Sequence, residues 1–177
     1  MNNNFQPTLQ NEFILMQPLK NSDFESLFAV ASDPLIWEQH PNKNRYQLEA
    51  FQNYFDGAMQ SNGAMLVIDK FTNEIVGCSR FYDYSETEQS VFIGYTFLAR
   101  KFWGNGYNPA MKKLMINYTF QFADVILFHI GATNIRSQIA IGRVGATKRR
   151  EVTVAYHGEP NRHNFEYELK KENWKNK

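Results

Sequence analysis

The stretch FWGNGYNPAM, residues 102–111, places two glycines on either side of an asparagine, directly before an amphipathic segment. Glycines in a turn between a strand and a helix allow two interpretations. Either the turn needs a positive φ, or the backbone is kept bare so that an anion can reach its N–H groups. A helix N-terminus carries about half a unit of positive charge and unpaired N–H donors, which suits a phosphate. Asn108 is a good N-cap and Pro109 fits the first helical position, which predicts the helix start.

Two common phosphate-binding motifs are excluded at this loop. The pattern G-x-x-x-x-G-K-[ST] is absent from the chain, so the loop is not a P-loop. The dinucleotide-binding pattern G-x-G-x-x-G needs a third glycine where Pro109 stands. From the glycines alone, a tight turn and an anion site both remain open.

The elements that must position this loop follow from the hydrophobic pattern. Apolar side chains at helical spacing and apolar runs between turn residues predict the order β-α-α-β-β-β-α-β-α-β-β. That order favours an α+β (mixed α/β) single domain, with a mostly antiparallel central sheet and helices on both faces. We expect the domain to cover residues 8–172, between loose termini at 1–7 and 173–177. The predicted helices are 23–31, 47–60, 108–122 and 135–144, and the predicted strands are 13–16, 64–68, 75–84, 90–98, 125–130, 147–156 and 162–170.

Composition excludes several classes of function. The chain has 177 residues and a net charge of +1, so no field of one sign exists to hold nucleic acid or an anionic membrane. Cys78 is the only cysteine, and the four histidines lack metal-ligand spacing, so we expect no metal. The chain begins without a signal-peptide pattern and has no apolar stretch of ~18 residues. We therefore expect a cytoplasmic location.

Two stretches carry a resemblance to a known family. IGYTFLARKFWGNGYNPAMKKLM (residues 93–115), followed by FHIGATNIRSQIAIGRVGA (residues 128–146), resembles a GNAT-type N-acetyltransferase. The similarity is greatest to the branch that includes the ribosomal-protein N-terminal acetyltransferases. It spans almost the whole chain and implies a GNAT-like domain that uses acetyl-CoA as co-substrate.

The resemblance implies a coenzyme site around the glycines. In this superfamily a [Q/R]-x-x-G-x-[G/A] loop holds the pyrophosphate of acetyl-CoA at a helix start. Trp103 stands here in place of Gln or Arg, and Asn108 in place of the final Gly or Ala. Both departures leave the backbone donors of the two glycines intact. The matching residues are Trp103, Gly104, Asn105, Gly106, Tyr107 and Asn108.

The resemblance also implies contacts to the pantetheine arm. The backbone of Tyr95, Thr96 and Phe97 would pair with the arm as an added strand would, and an N–H of this strand would stabilise the oxyanion. Asn134 matches the family position that hydrogen-bonds pantetheine, and Ser137 lies one helical turn later.

One departure bears on turnover. The family often uses a tyrosine seven residues after the asparagine to help the thiolate leave, and this position is Ile141. Either Ser137 or a water replaces it, or the chain binds acyl-CoA with little or no turnover. Both hypotheses stay open: an N-acetyltransferase or a binding module of the same fold.

The general base has several candidates. Residues 34–46 fall where the first two helices shape the acceptor site in this fold, so Glu38 and His40 could serve there, although a solvated loop anchored by Trp37 explains them as well. Asp83 and Glu86 are further options.

Other charged residues have two interpretations each. Four cations lie near the expected path of the phosphates, although a solvated helix face explains each of them too: Lys101, Lys112, Arg136 and Arg143. Lys112 gains some plausibility as a phosphate contact because a lysine near a helix start opposes the dipole, but the solvated helix face remains the default interpretation for all four. Arg80 could face an acidic acceptor or form a salt bridge, and His129 reads as a hydrogen-bonded core histidine.

The expected partners are acetyl-CoA and an amine acceptor, either a small molecule or a protein N-terminal amine. No nucleic acid or membrane partner is expected, and the protein would be a monomer or a homodimer. Nothing in the sequence names the acceptor.

Overall fold

A computed structural model describes residues 3–174 and contains one eight-stranded sheet. The strand order is β1-β2-β3-β4-β5-β6-β8-β7, and every neighbouring pair is antiparallel except β5 and β6, which are parallel. This confirms the predicted mixed, mostly antiparallel sheet. The strands are β1 Leu9–Gln10, β2 Ile14–Pro18, β3 Ala64–Asp69, β4 Ile75–Ser85, β5 Ser90–Leu98, β6 Val125–Gly131, β7 Thr147–Ala155 and β8 Asn161–Lys170.

Four α-helices cover the two faces of the sheet, as the alternation along its strands requires. On β3, Met65 and Val67 pack against α3 and α4, whereas Leu66 packs against α1 and α2. We call these sides the α3/α4 face and the α1/α2 face. The helices are α1 Phe24–Ala31, α2 Leu48–Gln60, α3 Tyr107–Thr119 and α4 Ile135–Arg143, and short 3₁₀ helices occupy Asn21–Asp23, Pro34–Ile36, Arg100–Phe102 and Lys171–Asn173.

The two parallel strands pair only over their first three residues. Their pairing ends at Phe92 opposite Leu127. Beyond that point β5 pairs only with β4, as far as Leu98, and β6 pairs only with β8, as far as Gly131. The space between residues 93–98 and residues 128–131, where neither strand pairs with the other, is here called the strand gap.

A β-bulge in β5 lies at the strand gap. The pairing register between β4 and β5 shifts after Cys78, and Tyr95 has a φ of 53°. A non-glycine residue at such a φ is uncommon and marks a position that the surrounding structure holds in place. The bulge reverses the alternation of side chains along β5, since Ile93 and Tyr95 are two residues apart but pack in the clusters on opposite faces. Thr96 then bonds to α3.

The chain ends depart from expectation within the described residues. Phe5 packs against the rings of Tyr84 and Phe122, and the Gln6 amide donates to the carbonyl of Ala64. Trp174 donates its indole N–H to Asn117, at 2.7 Å. Part of each expected loose terminus is thus packed on the domain; residues 1, 2 and 175–177 lie outside the described part. Strand β1 was not predicted, because two residues are too few to show a period.

Three smaller expectations bear on the class of protein. Cys78 is fully buried, and burial raises the pKa of its thiol. Within residues 3–174, no three His, Cys, Asp or Glu side chains are grouped so that they could hold a metal ion. None of the helices in this part of the chain combines the length and hydrophobicity needed to cross a membrane.

Candidate active site

The glycine loop, residues 103–106, lies beside the strand gap and presents bare backbone. Gly104 and Gly106 have φ values of 76° and 83°, in the left-handed region that favours glycine. A Cβ on either residue would meet no atom within 4 Å, so packing does not demand glycine here. In residues 3–174, nothing accepts a hydrogen bond from the backbone N–H of Gly104, Asn105 or Gly106. The loop therefore offers unpaired donors to an anion.

The start of α3 differs from the prediction. The helix begins at Tyr107 and its N-cap is Gly106, so the prediction that Asn108 caps the helix and Pro109 starts it is wrong. The physical reason is the left-handed conformation of Gly106, which turns the chain into the helix two residues earlier. Tyr107 fixes this start, because its hydroxyl donates to Asp69 at 3.1 Å.

Trp103 anchors the glycine loop to the strand before it. Its indole N–H donates to the carbonyl oxygen of Leu98 at 2.9 Å. The guanidinium of Arg136, on the first turn of α4, lies 4.2 Å from the centre of the Trp103 ring. This stacking brings a cation from the opposite wall of the strand gap to the glycine loop.

Arg136 also determines where Glu38 lies. It donates to the Glu38 carboxylate at 3.2 Å, and Glu38 is half exposed. A groove of about 420 Å³ runs along α4 beside this pair, lined by Gln39, Ile135, Arg136, Ile139, Ala140 and Arg143. Arg136 and Arg143 thus face the groove. Lys101 instead forms an exposed ion pair with Glu74.

Asn134 and Ser137 begin α4 on the other side of the strand gap. Asn134 caps the helix, since its Oδ1 accepts the Ser137 backbone N–H at 3.1 Å. Within residues 3–174 neither the Asn134 amide nitrogen nor the Ser137 hydroxyl has a hydrogen-bond partner, so both are free for a ligand. Ile141 is buried in the cluster on the α3/α4 face and has no proton to donate.

Lys112 does not lie where a phosphate contact would place it. Its side chain is only 4% exposed, and Nζ donates to the hydroxyl of Thr96 at 2.8 Å. The predicted phosphate contact is therefore wrong: Lys112 points inward to the sheet, away from the open side of the glycine loop. Burial lowers the pKa of its amine to about 7.

On the α1/α2 face the wall of the strand gap is aromatic and surrounds a buried arginine. Arg45 is 2% exposed and pairs with Glu159 of the β7–β8 turn at 2.7 Å. Four aromatic rings lie within 5.1–6.0 Å of its guanidinium: Trp37, Tyr54, Tyr95 and Tyr156. Sequence reasoning missed this residue, and no local pattern marks it.

His40 belongs to the same cluster. Its Nε2 lies 3.2 Å from a guanidinium nitrogen of Arg45, and its Nδ1 lies 2.9 Å from the backbone nitrogen and 3.1 Å from the carbonyl oxygen of Asn42. Burial, followed by the charge of Arg45, holds the His40 pKa well below its usual range. His40 could act as a base only after the contact between its Nε2 and Arg45 is broken.

Two more predicted residues lie near this face. Arg80 is buried with its guanidinium 3.8 Å from the centre of the Tyr95 ring and donates to the carbonyl of Tyr54. No carboxylate in residues 3–174 pairs with it, which removes the salt-bridge interpretation. His129 meets Glu166 at 3.2 Å, as a hydrogen-bonded core histidine should.

The carboxylate candidates on β4 and its turn differ in their surroundings. Asp83 is exposed, and its charge reaches Tyr95 and His129, contributing to the pKa of both. Glu86 is exposed on the turn that follows β4. Asp83 directly follows Tyr82, whose ring lies 5.1 Å from that of Tyr95, so of the two residues it is the one beside the aromatic wall.

Comparisons with known proteins agree with this geometry. The family model described as "Acetyltransferase (GNAT) domain" matches residues 14–147, more than half of the chain. An acetyltransferase of the GNAT family from Bacillus anthracis is similar in fold, with a TM-score of 0.72 and 19% identity, over 94% of this chain and 99% of that one. A GCN5-related N-acetyltransferase from Brucella melitensis has a TM-score of 0.78 at 16% identity, over 96% and 80% of the two chains. Mycobacterium smegmatis RimJ in complex with CoA-disulfide has a TM-score of 0.70 at 15% identity, over 94% and 87%.

Proposed function

The chain belongs to the GNAT family of acetyltransferases, and from this membership we propose that it transfers the acetyl group of acetyl-CoA to an amine bound at the strand gap. The observation that carries the proposal is the glycine loop, whose unpaired N–H groups open beside the gap at the start of α3. Backbone donors at a helix N-terminus suit a diphosphate, and the gap gives access from that site to the opposite face of the sheet.

The residues around the loop fit the coenzyme. The backbone of Gly104 and Gly106 would hold the pyrophosphate, with Arg136 and Arg143 as cations along the groove beside α4. The free amide of Asn134 would donate to the pantetheine arm. The edge of β5 at residues 95–97 has no strand partner on the gap side, so it is free to pair with that arm.

The acceptor amine would approach from the α1/α2 face. Its neutral nitrogen attacks the thioester carbonyl carbon, a C–N bond forms, and the C–S bond breaks with its electron pair on sulfur. Asp83 is our candidate for the group that removes the proton from the incoming ammonium, because it is exposed and directly follows Tyr82, whose ring packs against Tyr95 of the aromatic wall. A backbone N–H of the bulged strand, near Thr96, would stabilise the oxyanion.

The second candidate function is binding of acyl-CoA at the same site without transfer of the acyl group. Ile141 occupies the position where the family often has a tyrosine acid, and it lies buried among apolar side chains. This observation favours a module that binds acyl-CoA without turnover.

Titration calorimetry with acetyl-CoA, followed by a thiol-release assay over an amine panel, distinguishes the two functions. The panel should contain amino acids, polyamines and short peptides with free N-termini. The enzyme requires binding and thiol release with at least one amine, whereas tight binding with no release favours the module. Absence of binding contradicts both.

The role of Asp83 is tested by its amide variant on any amine that is acetylated. We expect D83N to lower kcat by about 100-fold, since general-base catalysis contributes this much. E86Q is the matched control, because it removes a carboxylate from the neighbouring turn and should leave kcat unchanged. Equal effects of the two variants would exclude Asp83 as the base.

A further inference from the structure

Lys112 is a buried cation at the strand gap that the proposed site does not yet use. It lies on the second turn of α3, six residues after the N-cap of that helix, and its side chain is 4% exposed. Its amine bonds to Thr96 on β5, the residue directly after the bulge. On the other side, the ring of Phe128 on β6 lies 6.0 Å from Nζ. The amine is thus held between the two separating strands.

Within residues 3–174, no negative side chain pairs with the positive charge of the Lys112 ammonium. Its one hydrogen-bond partner in residues 3–174 is the Thr96 hydroxyl, which in turn bonds to Ser79 on β4 at 2.8 Å. No carboxylate in this part of the chain forms an ion pair with it. The neighbours that the structure shows for the amine are thus the Thr96 hydroxyl and, at 6.0 Å, the Phe128 ring. An ammonium with three donors and one partner leaves two donors without acceptors.

A buried cation of this kind is costly to the folded chain alone. The same gap is where the thioester of the coenzyme must lie if acetyl transfer occurs between the two faces. The position where the family often has a tyrosine acid is Ile141, which cannot donate a proton. Besides the hydroxyl of Ser137, which is free within residues 3–174, the buried amine of Lys112 is therefore a second group at the gap with unused donors.

We propose that Lys112 is the proton donor to the sulfur of coenzyme A as the thioester is cleaved. This inference rests on the proposed acetyl transfer. When the C–S bond breaks, the electron pair remains on sulfur, and a proton passes from the Lys112 ammonium to give the CoA thiol and a neutral lysine amine. The acceptor nitrogen loses two protons in one turnover, one from the ammonium before attack and one as the amide forms. One of them returns to Lys112 through solvent and the other is released to solvent, so charge and protons balance. Thr96 orients the amine throughout.

The pH dependence of the reaction identifies such a role. Hydroxylamine is a suitable acceptor probe, because it is a small neutral nucleophile that avoids the unknown acceptor specificity. For wild type we expect the single-turnover rate of thiol release to fall as the pH rises above about 7, where Lys112 loses its proton. For K112M we expect a rate about 100-fold lower with no such fall. K113M, which removes an exposed lysine from the same helix, should match wild type.

Binding without turnover supplies an independent readout. The bound thiol and the Lys112 amine titrate as a coupled pair, in which the thiolate keeps the ammonium protonated above about pH 7 and the ammonium stabilises the thiolate. The thiol of bound CoA should therefore have a pKa lower by ~1 unit in wild type than in K112M. Ultraviolet absorbance of the thiolate measures this directly. In addition, wild type should prefer CoA over desulfo-CoA at alkaline pH, and K112M should bind the two equally.

The outcomes separate this inference from the proposed function. If wild type binds CoA but acetylates no amine, the proposed acetyl transfer is wrong. The pKa of the bound CoA thiol still shows whether Lys112 lies beside the sulfur. If wild type is active and K112M keeps its rate and its pH profile, Lys112 is not the donor. K112R is the folding control, because arginine keeps a positive charge at this position. Its guanidinium does not lose a proton in the pH range of the assay, so it cannot act as the donor. A K112R profile identical to that of wild type would also overturn the proposal.

Discussion

Arg45 connects the two loops that frame the acceptor side of the strand gap, and substitution of this residue measures its contribution to stability. It is 2% exposed and its partner Glu159 is 5% exposed, so the pair is screened from water. Glu159 Oε2 is already buried without a partner. Removing the arginine would leave a whole carboxylate buried and unpaired.

We expect R45M to lower the free energy of unfolding by ~3–5 kcal/mol, the cost of breaking a buried ion pair on one side. Urea unfolding followed by circular dichroism measures it. K101M is the control, because Lys101 and Glu74 form an exposed pair worth less than ~1 kcal/mol. Similar losses in the two variants would show that Arg45 is not effectively buried in solution.

Lys112 makes stability depend on pH in a direction opposite to that of most ion-paired lysines. Burial lowers its pKa in the folded state from 10.5 to about 7, so between these pH values the unfolded state binds more protons than the folded state. Stability therefore rises with pH over this window.

We expect wild type to gain stability relative to K112M between about pH 7 and pH 10, by a few kcal/mol in total. At or below pH 7, K112M should be the more stable protein, because it buries no charge. Urea midpoints of both proteins across the window test the difference. A difference that does not change with pH would mean that Lys112 is solvated.

At the scale of elements, the start of α3 depends on one glycine in a left-handed conformation. An alanine at Gly106 would keep φ near 83° only with strain, so we expect G106A to lose ~1 kcal/mol of stability. G142A provides a control of opposite sign. Gly142 is helical and a Cβ there meets nothing within 4 Å, so alanine should add ~0.5–1 kcal/mol. A stabilising G106A would contradict the assigned cap.

Most elements were predictable because their signal is local. The apolar face of α3 and the continuous apolar run of β6 place both elements within a few residues of their observed bounds. The glycine loop was likewise visible as a local pattern. Only its cap was misplaced, because Asn108 has the better N-cap propensity and Gly106 has the better backbone geometry.

The features missed from sequence are long-range. Arg45 and Glu159 are 114 residues apart, and no local pattern connects them. Lysine is a residue type that usually lies at the surface. Lys112 is buried because it lies on the side of α3 that faces the sheet. The bulge in β5 beside the strand gap was not predictable either, since a bulky residue such as Tyr95 rarely adopts a positive φ.

For the whole molecule, the strand gap is what joins two separate surfaces into one site. The glycine loop and α4 meet it on one face, and the aromatic wall around Arg45 meets it on the other. A coenzyme held by the loop and an acceptor held by the wall could react only through this opening. All the chemistry proposed above therefore depends on the loop binding the diphosphate of the coenzyme.

The most direct test is calorimetric titration of wild type and the double variant G104V/G106V with CoA and with pantetheine, which lacks the diphosphate. We predict that the variant loses at least about 10-fold in affinity for CoA, since charge-assisted hydrogen bonds of this kind are worth ~1.5–3 kcal/mol each. Its affinity for pantetheine should stay within about 2-fold of wild type, which also shows that the site is folded. Unchanged affinity for CoA would contradict the account.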